Sequence, residues 1–280
     1  MDYVNPSEIV AEIVKAGKRK AGLGVPDMLL RGALAGVFLG FATSLVFVVL
    51  SQGIPAIVGA ILFPVGFVML VLLGLELATG NFAILPAAWA AGETGIGGVL
   101  RNWAWVYAGN LLGSVFYAAL FYAATTNFGA VSGGPVAELI RGAALKKTAA
   151  YAALGFGGWA TAFVKGMLCN WMVTVGAVLA LASRSAVGKI AAMWLPILTF
   201  FAQGFEHSIV NMFVIPAGML FGAPVTAGQW WMWNQLPVTL GNIVSGALFT
   251  GLALYYTYPV KSAPAAAPAE APAATEAVFG

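Results

Sequence analysis

Long apolar runs separated by short polar stretches set the plan of this 280-residue chain. A helix needs about 20 apolar residues to cross a bilayer. Six runs are read as such spans: roughly Leu29–Leu50, a second that begins near Ile57 and is still apolar at Leu75, Val99–Ala124, Trp159–Ala182, Ile190–Phe205 and Trp231–Tyr256. They predict an all-α, six-span transmembrane domain over residues 29–258. Ahead of it, residues 1–28 predict an amphipathic segment, with Ile9, Ile13 and Ala16 on one helical face and Lys15, Lys18, Arg19 and Lys20 clustered after it. A long connection between the third and fourth runs carries Ser132-Gly-Gly-Pro135, Glu138, Arg141, Lys146 and Lys147. Residues 259–280 are Ala/Pro-rich and low in complexity, which predicts a disordered tail.

Composition agrees with the pattern. Hydrophobic residues make up 61% of the chain and charged ones 8%, against about 25% charged in ordinary soluble domains. The mean hydropathy is +0.91. A net charge of +3 reflects loop charges rather than a nucleic-acid surface. Cys169 is the single cysteine, so an intrachain disulfide framework and a Cys-based metal cluster are excluded. One histidine and one cysteine leave no haem-ligand or His-rich metal set, so neither an enzyme nor a metal or other cofactor is expected. The polar stretch Met1–Lys20 lacks an early apolar core, and no cleavable signal peptide is expected. With six spans both termini share a side. Nine Lys and Arg residues fall there (Lys15, Lys18, Arg19, Lys20, Arg31, Arg101, Arg184, Lys189, Lys261) against Arg141, Lys146 and Lys147 opposite. That imbalance places both termini in the cytoplasm.

An internal repeat is the most specific structural signal. Gly74-x-Glu76 is followed by Asn81 and Pro86, and Gly204-x-Glu206 by Asn211 and Pro216, at identical spacings. Gly109-Asn110 recurs as Gly241-Asn242 after 132 residues, and Arg31-Gly-Ala-Leu34 parallels Lys165-Gly-Met-Leu168. Three spans per half is an odd number, so the halves enter the membrane from opposite faces. Such inverted 3+3 repeats are typical of channels and secondary transporters. Gly, Glu, Asn and Pro interrupt an apolar run, so spans 2 and 5 are expected to break over the two Glu-to-Pro segments. Irregular backbone at membrane depth survives only where it lines a cavity. Half-helix N-termini meeting near the midplane offer positive dipole ends and free N–H groups, which suit a small anion.

Ionisable residues in such a chain need a partner, a cavity or a substrate. His207, the only histidine, lies between Glu206 and Asn211 in a broken span and is the first candidate for the substrate path. Glu76 and Glu206 read as acceptors for the broken helix ends more readily than as substrate contacts. Asn110 and Asn242 read as interhelical hydrogen-bond partners. Lys165 fits either snorkelling to the interface or a place in a vestibule one turn from Cys169 and Asn170.

The stretches Gly74-Leu-Glu-Leu-Ala-Thr-Gly-Asn81, Lys165-Gly-Met-Leu-Cys-Asn-Trp-Met-Val173, Gly204-Phe-Glu-His-Ser-Ile-Val-Asn-Met-Phe213 and Gly241-Asn-Ile243 resemble the formate/nitrite transporter family, from Pro6 to Tyr256. The resemblance implies an aquaporin-like fold, a homopentamer with one substrate path per subunit, and a lipid-filled central hole. It maps the central histidine onto His207 and its loop threonine onto Thr79. An inner constriction falls on Leu77 and Phe67, and an outer one on Phe63 and Phe200. Asn170 and Asn242 match asparagines beside the path, and Lys165 an outer basic position.

The expected function is passage of a small monovalent anion across a prokaryotic cytoplasmic membrane, formate first and nitrite second, by channel-like flow or proton coupling. Hydrosulfide and short carboxylates follow. A bare anion meets a desolvation barrier at the two apolar slits, Lys165 concentrates it, and His207 offers a hydrogen bond or a proton. An aquaporin-like facilitator of neutral solutes shares the repeat plan, but Asn-Pro-Ala is replaced by Asn81-Phe and Asn211-Met.

Overall fold

The computed structural model of the chain describes residues 2–258, and these are helical apart from turns and one isolated bridge. The expected tail over 259–280 lies outside the described residues. Four helices are long and apolar enough to cross a membrane: α2 (Val25–Ser51), α6 (Ile96–Thr126), α9 (Phe156–Leu179) and α12 (Ala227–Thr257). They coincide with expected spans 1, 3, 4 and 6. Expected spans 2 and 5 are assembled from shorter pieces: α3 (Ala56–Leu62), α4 (Pro64–Leu72) and α5 (Ala78–Ala90) in the first half, α10 (Ala186–Ala202) and α11 (Ser208–Leu220) in the second. The connection after α6 folds into α7 (Gly134–Lys147) and the single turn α8 (Ala149–Ala153).

The interruptions are shorter than the Glu-to-Pro segments, which is a correction to the sequence reading. Each occupies only five residues or so around Gly-x-Glu, while Asn81, Pro86, Asn211 and Pro216 all lie inside the half-helices that follow. The cause is a tight glycine cap. Gly74 has φ +65° and Gly204 φ +67°, a left-handed conformation that glycine adopts without a Cβ penalty. Gly74 N–H bonds Val71 O at 3.0 Å and Leu75 N–H bonds Leu70 O at 2.9 Å. Gly204 and Phe205 do the same onto Phe201 O and Phe200 O. This double closure satisfies the last carbonyls of α4 and α10 at once. A further joint, at Phe63, follows from Pro64, which has no N–H to continue the ladder of α3.

Close packing of the long helices depends on glycine. A Cβ at Gly113 of α6 would overlap the Ala33 carbonyl of α2, and one at Gly241 of α12 would overlap the Phe163 carbonyl of α9. The two halves therefore build the same pair, α2 on α6 and α9 on α12, as the repeat requires. Small residues allow this approach where lipid supplies no hydrophobic drive between helices.

The N-terminal segment is the helix α1 (Pro6–Ala21), capped by the Asn5 side chain on Glu8 N–H. It buries Ile9 and Ile13 with Ala87 and Val178. Its start is clasped to the turn between α9 and α10: Val4 N–H bonds Ala182 O at 2.9 Å, and the Asp2 carboxylate accepts from Ser183 Oγ and from the Arg184 and Ser185 amides. The Ser183 bond, followed by the Ser185 amide, lowers the Asp2 carboxyl to about 2, so the clasp keeps its charge throughout the ordinary pH range.

Candidate functional site

The N-termini of α5 and α11 meet at the centre of the molecule. Leu77 and His207 are their N-caps, both in extended conformation, and they occupy equivalent places in the repeat. Thr79 Oγ1 lies 3.0 Å from His207 Nε2, across 128 residues of chain. The Val210 amide donates to His207 Nδ1 at 3.2 Å. Because Nδ1 accepts, the neutral ring carries its proton on Nε2, and Nε2–H donates to Thr79. The Thr79 hydroxyl proton is left to donate elsewhere. Both residues are buried.

Asparagines hold these broken ends in register. Asn110 accepts from Ala78 N–H at 2.9 Å and donates to Gly32 O and Glu76 O. Asn242 repeats this, accepting from Ser208 N–H at 3.0 Å and donating to Gly166 O and Glu206 O. Each amide thus ties a break to the long helix beside it, and Asn242 has all three of its bonds engaged in doing so. Among the described residues no side chain caps the amides of Thr79, Gly80 or Ile209. They are the donors that a half-helix pair presents to an anion. Asn170 donates to Thr79 O and to Asn242 O, while its own Oδ1 is buried without a partner among the described residues.

Aromatic and aliphatic layers close the centre on both sides. Phe200 lies against the His207 ring at 5.8 Å between centroids, and Phe63 meets Phe200 edge-on at 5.8 Å. Phe63 also stacks on Phe201 at 3.8 Å, a contact the sequence did not single out. On the side of the N-terminus, Phe67 and Leu77 are among the residues lining a cavity of about 280 Å³. Arg19, Lys20, Arg31 and Lys189 border this vestibule, against the one acid Glu76.

Glu76 and Glu206 sit in matching polar clusters. Glu76 accepts from Lys20 Nζ at 2.8 Å and Asn81 Nδ2 at 2.8 Å, and Asn81 also donates to Asn102. Glu206 accepts from Lys147 Nζ at 2.7 Å, Asn211 Nδ2 at 2.8 Å and Tyr151 OH at 2.9 Å, and Asn211 also donates to Asn234. Burial of a carboxylate is tolerable with this many donors. Lys165 makes no ion pair among the described residues; its Nζ stands 5.9 Å from the centre of the Tyr151 ring. The structure thus gathers His207, Thr79, Asn170, Asn242, Phe63, Phe67, Leu77 and Phe200 around one centre, with Glu76 and Glu206 at its two breaks and Asn81 and Asn211 in the first turn of the half-helices that follow.

Sequence reasoning missed Lys20 and Lys147 as the partners of the two acids, because loop lysines carry no mark of their destination. It also missed Asn102 and Asn234, although they stand 132 residues apart, the same interval that relates Asn110 to Asn242. The last helix contains two π-helical stretches, Trp231–Gln235 and Ser245–Leu252. The first seats buried Asn234 and Gln235, and Gln235 reaches Tyr107 OH at 2.6 Å.

Inverted halves, paired half-helices and a closed polar centre between apolar layers define a membrane channel or transporter. The formate/nitrite transporter description matches residues 7–256, and the chain belongs to that family. It is 38% identical over 273 residues to a probable formate transporter of Methanothermobacter thermautotrophicus, covering 92% of this chain and 96% of that one. It is 34% identical over 242 residues to the nitrite transporter NirC of Escherichia coli, 84% of each chain. A solved pentameric formate channel with formate bound superposes with a TM-score of 0.67 at 27% identity, over 84% of this chain and 97% of that one.

Proposed function

We propose that the protein passes small monovalent anions, formate first and nitrite second, along a path centred on His207 within a six-span domain covering residues 29–258. One observation carries this reading: two half-helix N-termini converge on the His207–Thr79 pair, with the amides of Thr79, Gly80 and Ile209 free of side-chain caps among the described residues. Such an arrangement favours negative charge. Apolar layers on both sides exclude water, so the few donors at the centre act at full strength on whatever enters.

His207 acts in this scheme as a neutral donor. Its Nδ1 is occupied by the Val210 amide, so a second proton on the ring would face an N–H group. Thr79, oriented by Nε2–H, turns its hydroxyl proton towards the anion. Phe63 and Phe200 form one slit, Phe67 and Leu77 the other. Asn170 lies beside the path, Asn242 fixes the break at Glu206, and Lys165 draws anions to the mouth opposite the N-terminus. The basic vestibule bordered by Arg19, Lys20, Arg31 and Lys189 does the same on the N-terminal side, which the charge imbalance places in the cytoplasm.

Proteoliposome flux measured with formate, nitrite, hydrosulfide, acetate, lactate and glycerol tests the proposal. Formate is expected to move fastest and glycerol not at all. Glycerol or water flux without anion flux would replace the reading with a neutral-solute facilitator. Assembly is expected to follow the pentameric formate channel, with α2, α6, α9 and α12 supplying apolar outer faces. Light scattering in mild detergent should give five protomers, and a tetramer or a monomer would contradict this.

A further inference from the structure

The two acid clusters match residue for residue except at one place. Lys20 and Lys147 are equivalent partners of Glu76 and Glu206. Among the described residues Glu76 accepts from Lys20 and Asn81 and from no hydroxyl, whereas four residues after Lys147 stands Tyr151. The second cluster has therefore gained a phenol, and Tyr151 OH donates to Glu206 Oε1 at 2.9 Å. Tyr151 is buried, and α9 seats it closely: a Cβ at Gly158 would overlap the Tyr151 carbonyl.

A second departure from the repeat lies beside it. Arg31 and Lys165 are equivalent, as Arg31-Gly-Ala-Leu34 and Lys165-Gly-Met-Leu168 show. Arg31 is paired with Asp27 at 3.3 Å, one turn before it. The residue one turn before Lys165 is Thr161, whose hydroxyl bonds Gly157 O. Lys165 has thus lost its acid. The backbone brings Glu206 beside it, since Glu206 N–H bonds Lys165 O at 3.3 Å. Lysine is long and flexible and pairs with any carboxylate that has an open acceptor site. Lys147, Asn211 and, at 3.4 Å, Asn234 donate to Glu206 Oε2, and Tyr151 is the donor on Oε1.

We infer that Tyr151 is a positioning residue: by occupying Glu206 Oε1 and placing its ring beneath Lys165, it keeps that lysine unpaired and available to an anion at the mouth opposite the N-terminus. The ring face holds the ammonium by cation–π attraction without neutralising it, as a carboxylate would. An unpaired cation raises local anion concentration, and its effect is screened by salt over about 8–10 Å. The inference rests on the reading of Lys165 proposed above.

The test compares wild type, Tyr151→Phe, Lys165→Ala and the double variant as reconstituted oligomers, measuring formate flux against concentration at low and high ionic strength. Tyr151→Phe opens Glu206 Oε1, and Lys165 is expected to fold onto it. The half-saturating formate concentration should rise about tenfold, the low end of what charge focusing contributes, with the maximal rate retained and the salt dependence lost. Lys165→Ala should give the same result, and the double variant no more. Acylation of the Lys165 amine, read by mass spectrometry, should fall severalfold in Tyr151→Phe. Unchanged affinity and unchanged acylation in Tyr151→Phe overturn the inference, as does a loss confined to maximal rate. A silent Lys165→Ala instead removes the anion role of Lys165, and acylation still decides whether Tyr151 holds it apart. If Tyr151→Phe does not assemble, Tyr151→His retains a ring N–H donor and should keep wild-type affinity and acylation; loss of either in an assembled oligomer overturns the inference.

Discussion

Replacing His207 with phenylalanine should cut formate uptake into proteoliposomes by about a hundredfold, the low end of what removal of one preorganised donor costs in a water-excluded site. The oligomer should survive. The ring is held on one side by the Val210 amide and on the other by Thr79, and neither bond ties two long helices together. Loss of the cap on Val210 costs about 1 kcal/mol, whereas the registers of the two breaks are held by Asn110 and Asn242. Phenylalanine also fits the aromatic layer that Phe200 already forms against the imidazole. Thr79→Val should act in the same direction but less, since the imidazole keeps its proton on Nε2 when the hydroxyl is gone. Uptake of His207→Phe at the wild-type rate and with the wild-type pH profile would show that the path avoids His207.

The contrast between what the sequence told and what it hid follows from the range of each interaction. Gly74-x-Glu76 and Gly204-x-Glu206 announce their breaks because a left-handed glycine cap is a local event, written within six residues. The equivalence of Asn110 and Asn242 is legible because duplication preserved an interval of 132 residues, and the structure gives both the same three bonds. Lys147 is different in kind. It reaches Glu206 across 59 residues, from a connection whose helical fold the sequence reading left open. Its neighbour Lys146 has identical chemistry and no such role among the described ion pairs. Which of two adjacent lysines turns inward depends on the phase of α7 against α11, and that phase is a tertiary property. The extent of the breaks was misjudged for a related reason: Pro86 and Pro216 were expected to belong to them, yet each lies within a half-helix. A proline costs a helix interior about 3 kcal/mol, but that is a local propensity, and here the packing of two almost wholly buried half-helices outweighs it.

Lys147→Met should be the most destabilising of the single substitutions at the two acid clusters. Glu206 is buried with 4% of its side chain exposed, and Lys147 is the charge that compensates it at 2.7 Å. Methionine fills similar volume but leaves the carboxylate to neutral donors, and breaking a buried pair from one side costs about 3–5 kcal/mol. The equivalent Lys20→Met should cost less. Glu76 is as buried as Glu206, with 4% of its side chain exposed, but it lines the vestibule that Arg19, Arg31 and Lys189 also border, so these cations take over part of the compensation. Thermal inactivation of the detergent-solubilised oligomer gives the ranking: wild type, then Lys20→Met, then Lys147→Met. The decisive comparison adds Glu206→Gln to Lys147→Met. Glutamine presents an oxygen to Tyr151 or Asn211 without a charge, so the double variant should recover most of the lost stability. Glu206→Gln alone should be mild, because Lys147 has 21% of its side chain exposed and can turn towards water. If the double variant is no more stable than Lys147→Met, the lysine acts by packing its stem, and the compensating charge at the second break must come from elsewhere, with Lys165 as the nearest candidate.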